Sequence, residues 1–339
     1  MLAPCVAAKS KDLQAVGGTP MQRRQFLTNC AASLGTLLFT GRTCAGGVTV
    51  SDEAGLTYRL FGVPLRSGSL IPGNENDAQA YRDVQRLARL GAVGCHAVDD
   101  GDVPIPSYLP HHSVPPIRNW PGPRIVWDCV RDRLAPCLRE PGQIPFLIGC
   151  DCSVVIGTAQ ALMRASPQNI HVLYIDGDFD DAPPDPKHSN SAASCAVWLL
   201  TNDSPFWAGP PLRPSNVSVI GWTNRSRSPQ SGLGSISLEE VRRSGPQAAA
   251  RQVLETIPSA TSILLHFDID VLQAIELPAA YFPHQEGLSL AEAGDLLSVL
   301  MKDPRIRIIE VSEYAALRDF DHGYVDKLVS LFVESLRRH

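Results

Sequence analysis

The sequence has no internal repeat, no long basic run and no extended apolar run. Its 30 Lys and Arg residues are outnumbered by 35 Asp and Glu residues, which gives a net charge of -5. Nucleic-acid-binding proteins usually carry a broad basic surface, so we expect no nucleic-acid partner. No segment after residue 45 approaches the roughly 18 uncharged apolar residues of a transmembrane helix, so we expect no stable membrane span.

What the chain does have is length and hydrophobic content. Its 339 residues are 44% hydrophobic, enough to bury a large core. It also has nine cysteines, but their spacing is not that of a zinc ribbon. An exported protein could oxidise some of them to disulfides, and their pairing cannot be derived from the sequence.

The N-terminal segment "MQRRQFLTNCAASLGTLLFTGRTCAGG" differs from the rest of the chain. It contains the pair Arg23 and Arg24, then a moderately apolar stretch, then small residues around Ala45. This order is typical of a bacterial twin-arginine export signal. We therefore expect a signal peptide over residues 21–45 and export to the periplasm, with residues 1–20 lying upstream of a candidate start at Met21. The alternative is an ordinary N-terminal helix or tail on a cytoplasmic protein.

From residue 56 to 339 the pattern predicts a single α/β domain. Short apolar runs such as "IPFLIGCD", "IHVLYIDGD", "TSILLHFDID" and "IRIIEVSE" alternate with helical patterns such as "NENDAQAYRDVQRLARLG" and "LEEVRRSGPQAAARQVLETI". Continuously apolar strands alternating with helices indicate a mostly parallel sheet covered on both faces. Ligands of such sheets bind at the carboxyl ends of the strands.

Two of these predicted strands end in an Asp-x-Asp pattern, Asp176 with Asp178 and Asp268 with Asp270. A single Asp after a strand is most often a turn residue or a helix cap. Two such pairs at one sheet edge would repel each other unless a cation neutralised them. Hard divalent cations prefer carboxylate oxygens, so the pattern alone is equally compatible with a metal site and with turn residues.

Four segments resemble the signature motifs of the ureohydrolase family, which includes arginase, agmatinase and formiminoglutamase. They are "GCDCS" (149–153), "DGDFD" (176–180), "FDIDVL" (267–272) and "IIEVSE" (308–313), in the family's order and approximate spacing. The resemblance implies a three-layer α/β/α fold with two divalent ions, usually Mn²⁺. It also implies hydrolysis of a linear C–N bond in a guanidino or amidino substrate by a metal-activated hydroxide, and assembly as a trimer or hexamer.

By the same resemblance, each ion would have four protein ligands, and Asp180 would also belong to the catalytic groups. One ion would be bound by Cys152, Asp176, Asp180 and Asp268, and the other by Asp176, Asp178, Asp268 and Asp270. Glu310 would contact the guanidinium or amidine group of the substrate and act in catalysis; the alternative for Glu310 is a structural salt bridge.

The chain departs from the family pattern at Cys152 and Asp178, where the family has histidines. Six anionic ligands would then surround two dications, so we expect that Cys152 stays a thiol, that one Asp holds a proton, or that only one ion binds tightly. A thiolate favours a softer ion such as Zn²⁺, and Ni²⁺ or Fe²⁺ are further candidates.

Ala192 occupies the approximate position of the family's proton-shuttle histidine. His188, four residues earlier, is the candidate replacement, although an exposed loop histidine without a catalytic role is the alternative. His266 shares a strand face with Asp268. We expect it either to support the metal ligands from below or to be an ordinary buried histidine.

Three functions are compatible with these features. The first is a metal-dependent hydrolase of the ureohydrolase type. The second is a non-catalytic binding protein whose metal site has decayed, which the missing histidines favour and the retained acidic residues oppose. The third is a mononuclear, deacetylase-like amidohydrolase.

Overall fold

A computed structural model describes residues 55–71, 73, 75–166, 169–206, 209–223 and 228–337. The predicted signal peptide, 21–45, and residues 1–20 lie outside them.

An eight-stranded parallel sheet has the order β2-β1-β3-β8-β7-β4-β5-β6. The strands are β1 Thr57–Gly62, β2 His96–Asp102, β3 Gln143–Ile148, β4 Ile170–Ile175, β5 Val217–Ile220, β6 Gly234–Ile236, β7 Ser262–Asp268 and β8 Ile306–Ser312. The helices are α1 Asp77–Asp83, α2 Arg86–Ala92, α3 Gly122–Arg139, α4 Val155–Ala165, α5 Ala196–Thr201, α6 Leu238–Ser244, α7 Pro246–Thr256, α8 Leu290–Leu300 and α9 Gly323–Leu336.

Both faces of the sheet are buried, as the continuously apolar strands predict. Along β4, Leu173 and Ile175 pack into one hydrophobic core, whereas Val172 and Tyr174 pack into the other. The first core contains apolar side chains of α1, α7, α8 and α9, and the second contains those of α3, α4 and α5. Since successive strand residues point to opposite faces, these two cores lie on opposite faces of the sheet. The helices that pack into them form the outer layers of a three-layer α/β/α domain.

Two predicted helices are each divided in two. The first, over "NENDAQAYRDVQRLARLG", is interrupted at Gln85, whose φ of 57° lies in the left-handed region. The second, over "LEEVRRSGPQAAARQVLETI", is interrupted at Gly245, with φ of 87°. Pro246 then starts α7, a position where the missing N–H of proline costs no hydrogen bond.

The strand order brings the ends of four strands together at the centre of the sheet. The chain passes from β3 through α4 to β4, and β7 and β8 later fill the gap between these two strands. The carboxyl ends of β3, β8, β7 and β4 are therefore neighbours, and ligands of parallel sheets bind at such switch points.

The described residues all belong to one unit, Ser51–His339. Within them, no helix combines the length and apolar composition needed to cross a membrane.

Candidate metal centre

The Asp176 carboxylate lies just beyond the end of β4 and is 1% exposed. Its Oδ1 accepts a hydrogen bond of 2.6 Å from the N–H of Asp178. Its Oδ2 is buried and has no hydrogen-bond partner among the described residues. Burial, together with Asp270, Asp180 and Asp268, raises the pKa of Asp176 well above its ordinary value. An acceptor left unpaired in such a place is costly unless a cation or a proton occupies it.

Asp268 and Asp270 repeat this geometry at the end of β7. The Asp268 Oδ1 accepts from the N–H of Asp270 at 2.7 Å, and the Asp270 Oδ1 accepts from the N–H of Gly177 at 3.3 Å. The last bond joins the two Asp-x-Asp motifs. The first Asp of each pair is thus a turn residue and also a potential ligand, so the two interpretations of the motif are compatible.

Three carboxylates form a group with metal-binding dimensions. Ligand oxygens of Asp176, Asp268 and Asp270 lie within 4.8 Å of one another. Ligands on opposite sides of a divalent ion, at about 2.0–2.3 Å each, are separated by no more than about 4.6 Å. Side-chain adjustments of a few tenths of an ångström therefore suffice to bind an ion here.

The Cys152 thiol adjoins this group from the end of β3. Its Sγ donates a hydrogen bond of 2.6 Å to Asp268 Oδ2 and lies 3.1 Å from the Ser312 hydroxyl. Burial, and then the nearby Asp268 carboxylate, raises the pKa of Cys152 well above its ordinary value. Without a metal the side chain is therefore a thiol that donates a hydrogen bond.

Glu313, which directly follows β8 and is 3% exposed, was not predicted from the sequence. Its Oε1 accepts from the N–H of Cys152 at 3.2 Å. One ligand atom each from Cys152, Asp268 and Glu313 form a second group within 4.8 Å. Burial, followed by Asp151 and Asp270, raises the pKa of Glu313 well above its ordinary value. The sequence feature that could have identified Glu313 is its position at the end of a predicted strand.

His284 was also missed, because its loop is far from the acidic motifs in sequence. Its Nε2 lies 3.5 Å from Asp178 Oδ2 and 3.6 Å from Asp270 Oδ2. The neighbouring Asp270 raises the pKa of His284 above its ordinary value. A side chain at Gly177 would place its Cβ 2.6 Å from the His284 ring, so glycine permits this approach.

Asp180 and His266 belong to a polar network beneath the acidic cluster. The Tyr174 hydroxyl donates to Asp180 Oδ2 at 2.7 Å, and the Tyr174 ring stacks on His266 with centroids 4.2 Å apart. His266 Nδ1 lies 2.6 Å from Glu310 Oε1, and its Nε2 lies 3.3 Å from the Ser312 hydroxyl. His266 is fully buried and hydrogen-bonded, and one of its ring nitrogens also forms a third group within 4.8 Å with ligand atoms of Cys152 and Asp176.

Glu310 lies inside β8, two residues before its end, and is 0% exposed. Its Oε2 has no hydrogen-bond partner in the part of the chain that the structure describes. The predicted substrate contact of Glu310 stays a prediction, and the pair with His266 matches the alternative of a structural contact.

His188 and Ala192 lie on the loop after β4. His188 has a side chain that is 73% exposed and pairs with Asp185 at 2.6 Å, whereas Ala192 is fully buried. Of the described residues, His188 is in none of the groups with metal-binding dimensions. Its predicted role as proton shuttle stays a prediction. None of the six cysteines in the described residues forms a disulfide.

The residues at this edge fit divalent ions. They offer mainly carboxylate oxygens, which hard dications prefer, and they include buried oxygens of Asp176 and Glu313 that lack partners in the described residues. Two of the groups share Asp268. A carboxylate that contributes to both would place two ions next to each other.

The family model for the arginase family matches residues 56–336. The chain belongs to the arginase family. Members of this family are metal-dependent hydrolases of guanidino or amidino compounds and typically use a binuclear Mn²⁺ centre.

Individual relatives agree with this assignment. The chain is 23% identical to the arginase of Bacillus subtilis over 293 residues, covering 83% of this chain and 97% of that protein. It is similar in fold to the Entamoeba histolytica arginase solved with L-ornithine, with a TM-score of 0.72 at 18% identity over 83% of this chain and 98% of the other. The formimidoylglutamase of Bacillus subtilis gives a TM-score of 0.66 at 17% identity, covering 83% and 86% of the two chains. These structural likenesses support the arginase-like fold, and their different names leave the substrate open.

Proposed function

We propose that the protein hydrolyses a linear C–N bond of a guanidino or amidino compound at a centre of two divalent ions. The observation that carries this proposal is the buried group formed by Asp176, Asp268 and Asp270 at the carboxyl ends of β4 and β7. Membership of the arginase family supports the reaction class.

The residues that would bind the ions are the acidic groups at the central strand ends together with Cys152. When bound, the ion pair supplies a hydroxide at neutral pH by lowering the pKa of water, and it stabilises negative charge in the transition state. Asp176, Asp268 and Asp270 supply carboxylates on strand ends fixed by their neighbours. Positions on such rigid elements are held more precisely than positions on loops.

The side chains around the ligands have distinct tasks. Tyr174 and Ser312 donate or share hydrogen bonds with Asp180 and Cys152, which fixes the orientation of those side chains. Asp178 and His284 have side chains that are 46% and 25% exposed, so they lie at the solvent side of the centre. A cationic guanidinium or amidinium group entering there meets carboxylates, which favour its binding by charge.

The test combines metal analysis with product analysis. Protein stripped of metal is titrated with Mn²⁺, Zn²⁺ and Ni²⁺, and bound ions are counted per chain. The loaded protein is then incubated with guanidino and formimidoyl compounds, and urea, ammonia or formamide is measured. Hydrolysis of one of these classes is expected, and the family's names make L-arginine and formimidoylglutamate the first compounds to try.

Each alternative function gives a different result. Failure to bind any of the three ions would refute the proposal and leave a binding protein with a decayed centre. One tightly bound ion, with release of acetate from acetylated amines and no action on guanidino compounds, would identify the mononuclear amidohydrolase instead.

We further propose that the protein is exported through the twin-arginine pathway, on the basis of the sequence pattern around Arg23 and Arg24. A double Lys substitution of this pair should keep the protein in the cytoplasm, because twin-arginine signals are recognised by that pair. Cell fractionation and N-terminal sequencing of the wild-type protein provide the comparison. Wild-type protein found only in the cytoplasm, with residues 21–45 intact, would refute export.

A further inference from the structure

Glu313 has an unusual backbone conformation at the end of β8. Its φ of 64° lies in the left-handed region, which is strained for a residue other than glycine. Its carbonyl accepts a hydrogen bond of 3.0 Å from the N–H of Tyr281, and the next residue, Tyr314, forms a bridge with Ala280. The neighbouring loop thus holds Glu313 in this turn, and the turn directs the side chain into the acidic cluster.

The Glu313 carboxylate is only half satisfied by hydrogen bonds. Its Oε1 accepts from the N–H of Cys152 at 3.2 Å, but its Oε2 is buried without a partner among the residues described. A buried polar atom without a partner is destabilising. A strained backbone and an unpaired oxygen at the same residue indicate that a cation binds there.

The atoms around Glu313 would give such a cation a mixed set of donor atoms. Cys152 supplies a sulfur and Asp268 a carboxylate oxygen, and these two atoms and a Glu313 oxygen lie within 4.8 Å of one another. Asp268 Oδ2 is the atom to which the Cys152 thiol donates. An ion at this place would replace that thiol proton.

Asp180, the carboxylate that the family pattern assigns to this ion, is placed differently. It belongs to none of the three-residue groups found in the described ranges. Its Oδ2 accepts from the Tyr174 hydroxyl, and its backbone carbonyl accepts from the N–H of Val197 at the start of α5. Asp180 therefore has hydrogen bonds that fix its position without an ion.

We propose that Glu313 is a metal ligand, and that it binds one ion of the centre together with Cys152 and Asp268. This inference rests on the proposed two-metal function and changes its ligand set: Glu313 takes the place that the family pattern gives to Asp180. The second ion keeps Asp176, Asp268 and Asp270, with Asp268 shared.

The donor types predict which ion each position prefers. A thiolate with two carboxylates suits Zn²⁺ or Co²⁺, whereas the all-carboxylate position suits Mn²⁺. The chain is thus expected to bind two different ions, one at each position. A Co²⁺ ion at the first position has a thiolate ligand, which gives a charge-transfer absorption in the near ultraviolet that a purely carboxylate site lacks.

The test follows this absorption in metal-free full-length protein titrated with Co²⁺. In Glu313→Gln, which keeps the side-chain shape and removes the charge, the affinity for the thiolate-bound Co²⁺ should fall by about 100-fold or more, since loss of groups that merely support ligands already costs 10- to 100-fold. Asp180→Asn is the comparison, and its affinity should stay within about 10-fold of the wild type. Circular dichroism of the metal-free variants checks that they fold.

Glu313→Asp provides a second variant if Glu313→Gln does not fold. It keeps the charge but shortens the side chain by one methylene, so the absorption should again weaken. If a folded Glu313 variant keeps the Co²⁺ absorption and Asp180→Asn loses it, this inference is overturned and the proposed function stays intact. Wild-type protein that binds neither Co²⁺ nor Mn²⁺ would instead refute the proposed function.

Discussion

Replacement of Glu310 by Ala tests what the buried pair of Glu310 and His266 contributes. Both side chains are 0% exposed, and Glu310 Oε1 lies 2.6 Å from His266 Nδ1. Removing one partner from a buried pair leaves the other without compensation and typically costs about 3–5 kcal/mol. For a domain of this size, that loss lowers the melting temperature by about 5–8 °C.

The measurement is urea unfolding of metal-free protein, followed by circular dichroism. Glu310→Gln should cost less, about 1–3 kcal/mol, because the amide fills the same space and still forms a hydrogen bond with the ring. Glu334→Ala is the matched control, since Glu334 pairs with Arg337 at 2.8 Å but its side chain is 58% exposed. Exposed pairs contribute about 0–1 kcal/mol.

A Glu310→Ala protein as stable as the wild type would refute this reasoning, because it would show that His266 does not need its partner. The substrate role predicted for Glu310 is separable from its contribution to stability. If Glu310 also contacts the substrate, Glu310→Gln will raise KM in the metal-loaded enzyme by a larger factor than its modest loss of stability explains.

Three further results are expected. Mn²⁺ at 100 times its dissociation constant should raise the free energy of unfolding by about 2.7 kcal/mol per site, measured by thermal unfolding with and without a chelator; identical melting curves would contradict a metal centre. His284→Ala should reduce kcat more than His188→Ala in steady-state assays, because the His284 Nε2 lies 3.5 Å from Asp178 and 3.6 Å from Asp270, whereas the His188 side chain is 73% exposed; an equal or larger effect of His188→Ala would instead favour His188 as the proton shuttle. Burial lowers the pKa of His171 from 6.5 to about 4, so the folded protein keeps this imidazole neutral and should lose about 3 kcal/mol of unfolding free energy as the pH falls from 6.5 toward 4. In urea unfolding across that range, the unfolding free energy of His171→Asn should depend less steeply on pH than that of the wild type, and an equal dependence would refute this role of His171.

The fold could be predicted from the sequence because its signals are local and repeated. The runs around β3, β4, β7 and β8 are mostly apolar and place apolar side chains on both faces, a pattern typical of strands covered on both sides. The helix breaks at Gln85 and Gly245 were not predicted. A left-handed residue other than glycine, such as Gln85, has no reliable sequence signature, and "SGP" at 244–246 was included in one continuous helical pattern although it marks a break.

Prediction of the site was limited by contacts between distant segments. Asp176, Asp268 and Asp270 were found because each Asp-x-Asp pair is adjacent in sequence, and the structure groups all three. Glu310 and Glu313 lie in one short motif, and they differ in that Glu310 lies within β8 whereas Glu313 follows its end. The first points into a hydrogen-bonded pair with His266, and the second meets Cys152 from another strand.

The replacement of a family histidine by Asp178 also has a different meaning in three dimensions. From the sequence, that change removes an imidazole and adds a negative charge, which favours a decayed centre. In the structure, His284 brings an imidazole to Asp178 from a loop about a hundred residues later, and Gly177 leaves the space that this approach needs. Like charges such as those of Asp178 and Asp270 repel each other unless a positive group lies beside them, and the neighbouring Asp270 raises the pKa of His284 above its ordinary value. The contact with His284 therefore gives these carboxylates a compensating partner that the sequence alone does not reveal.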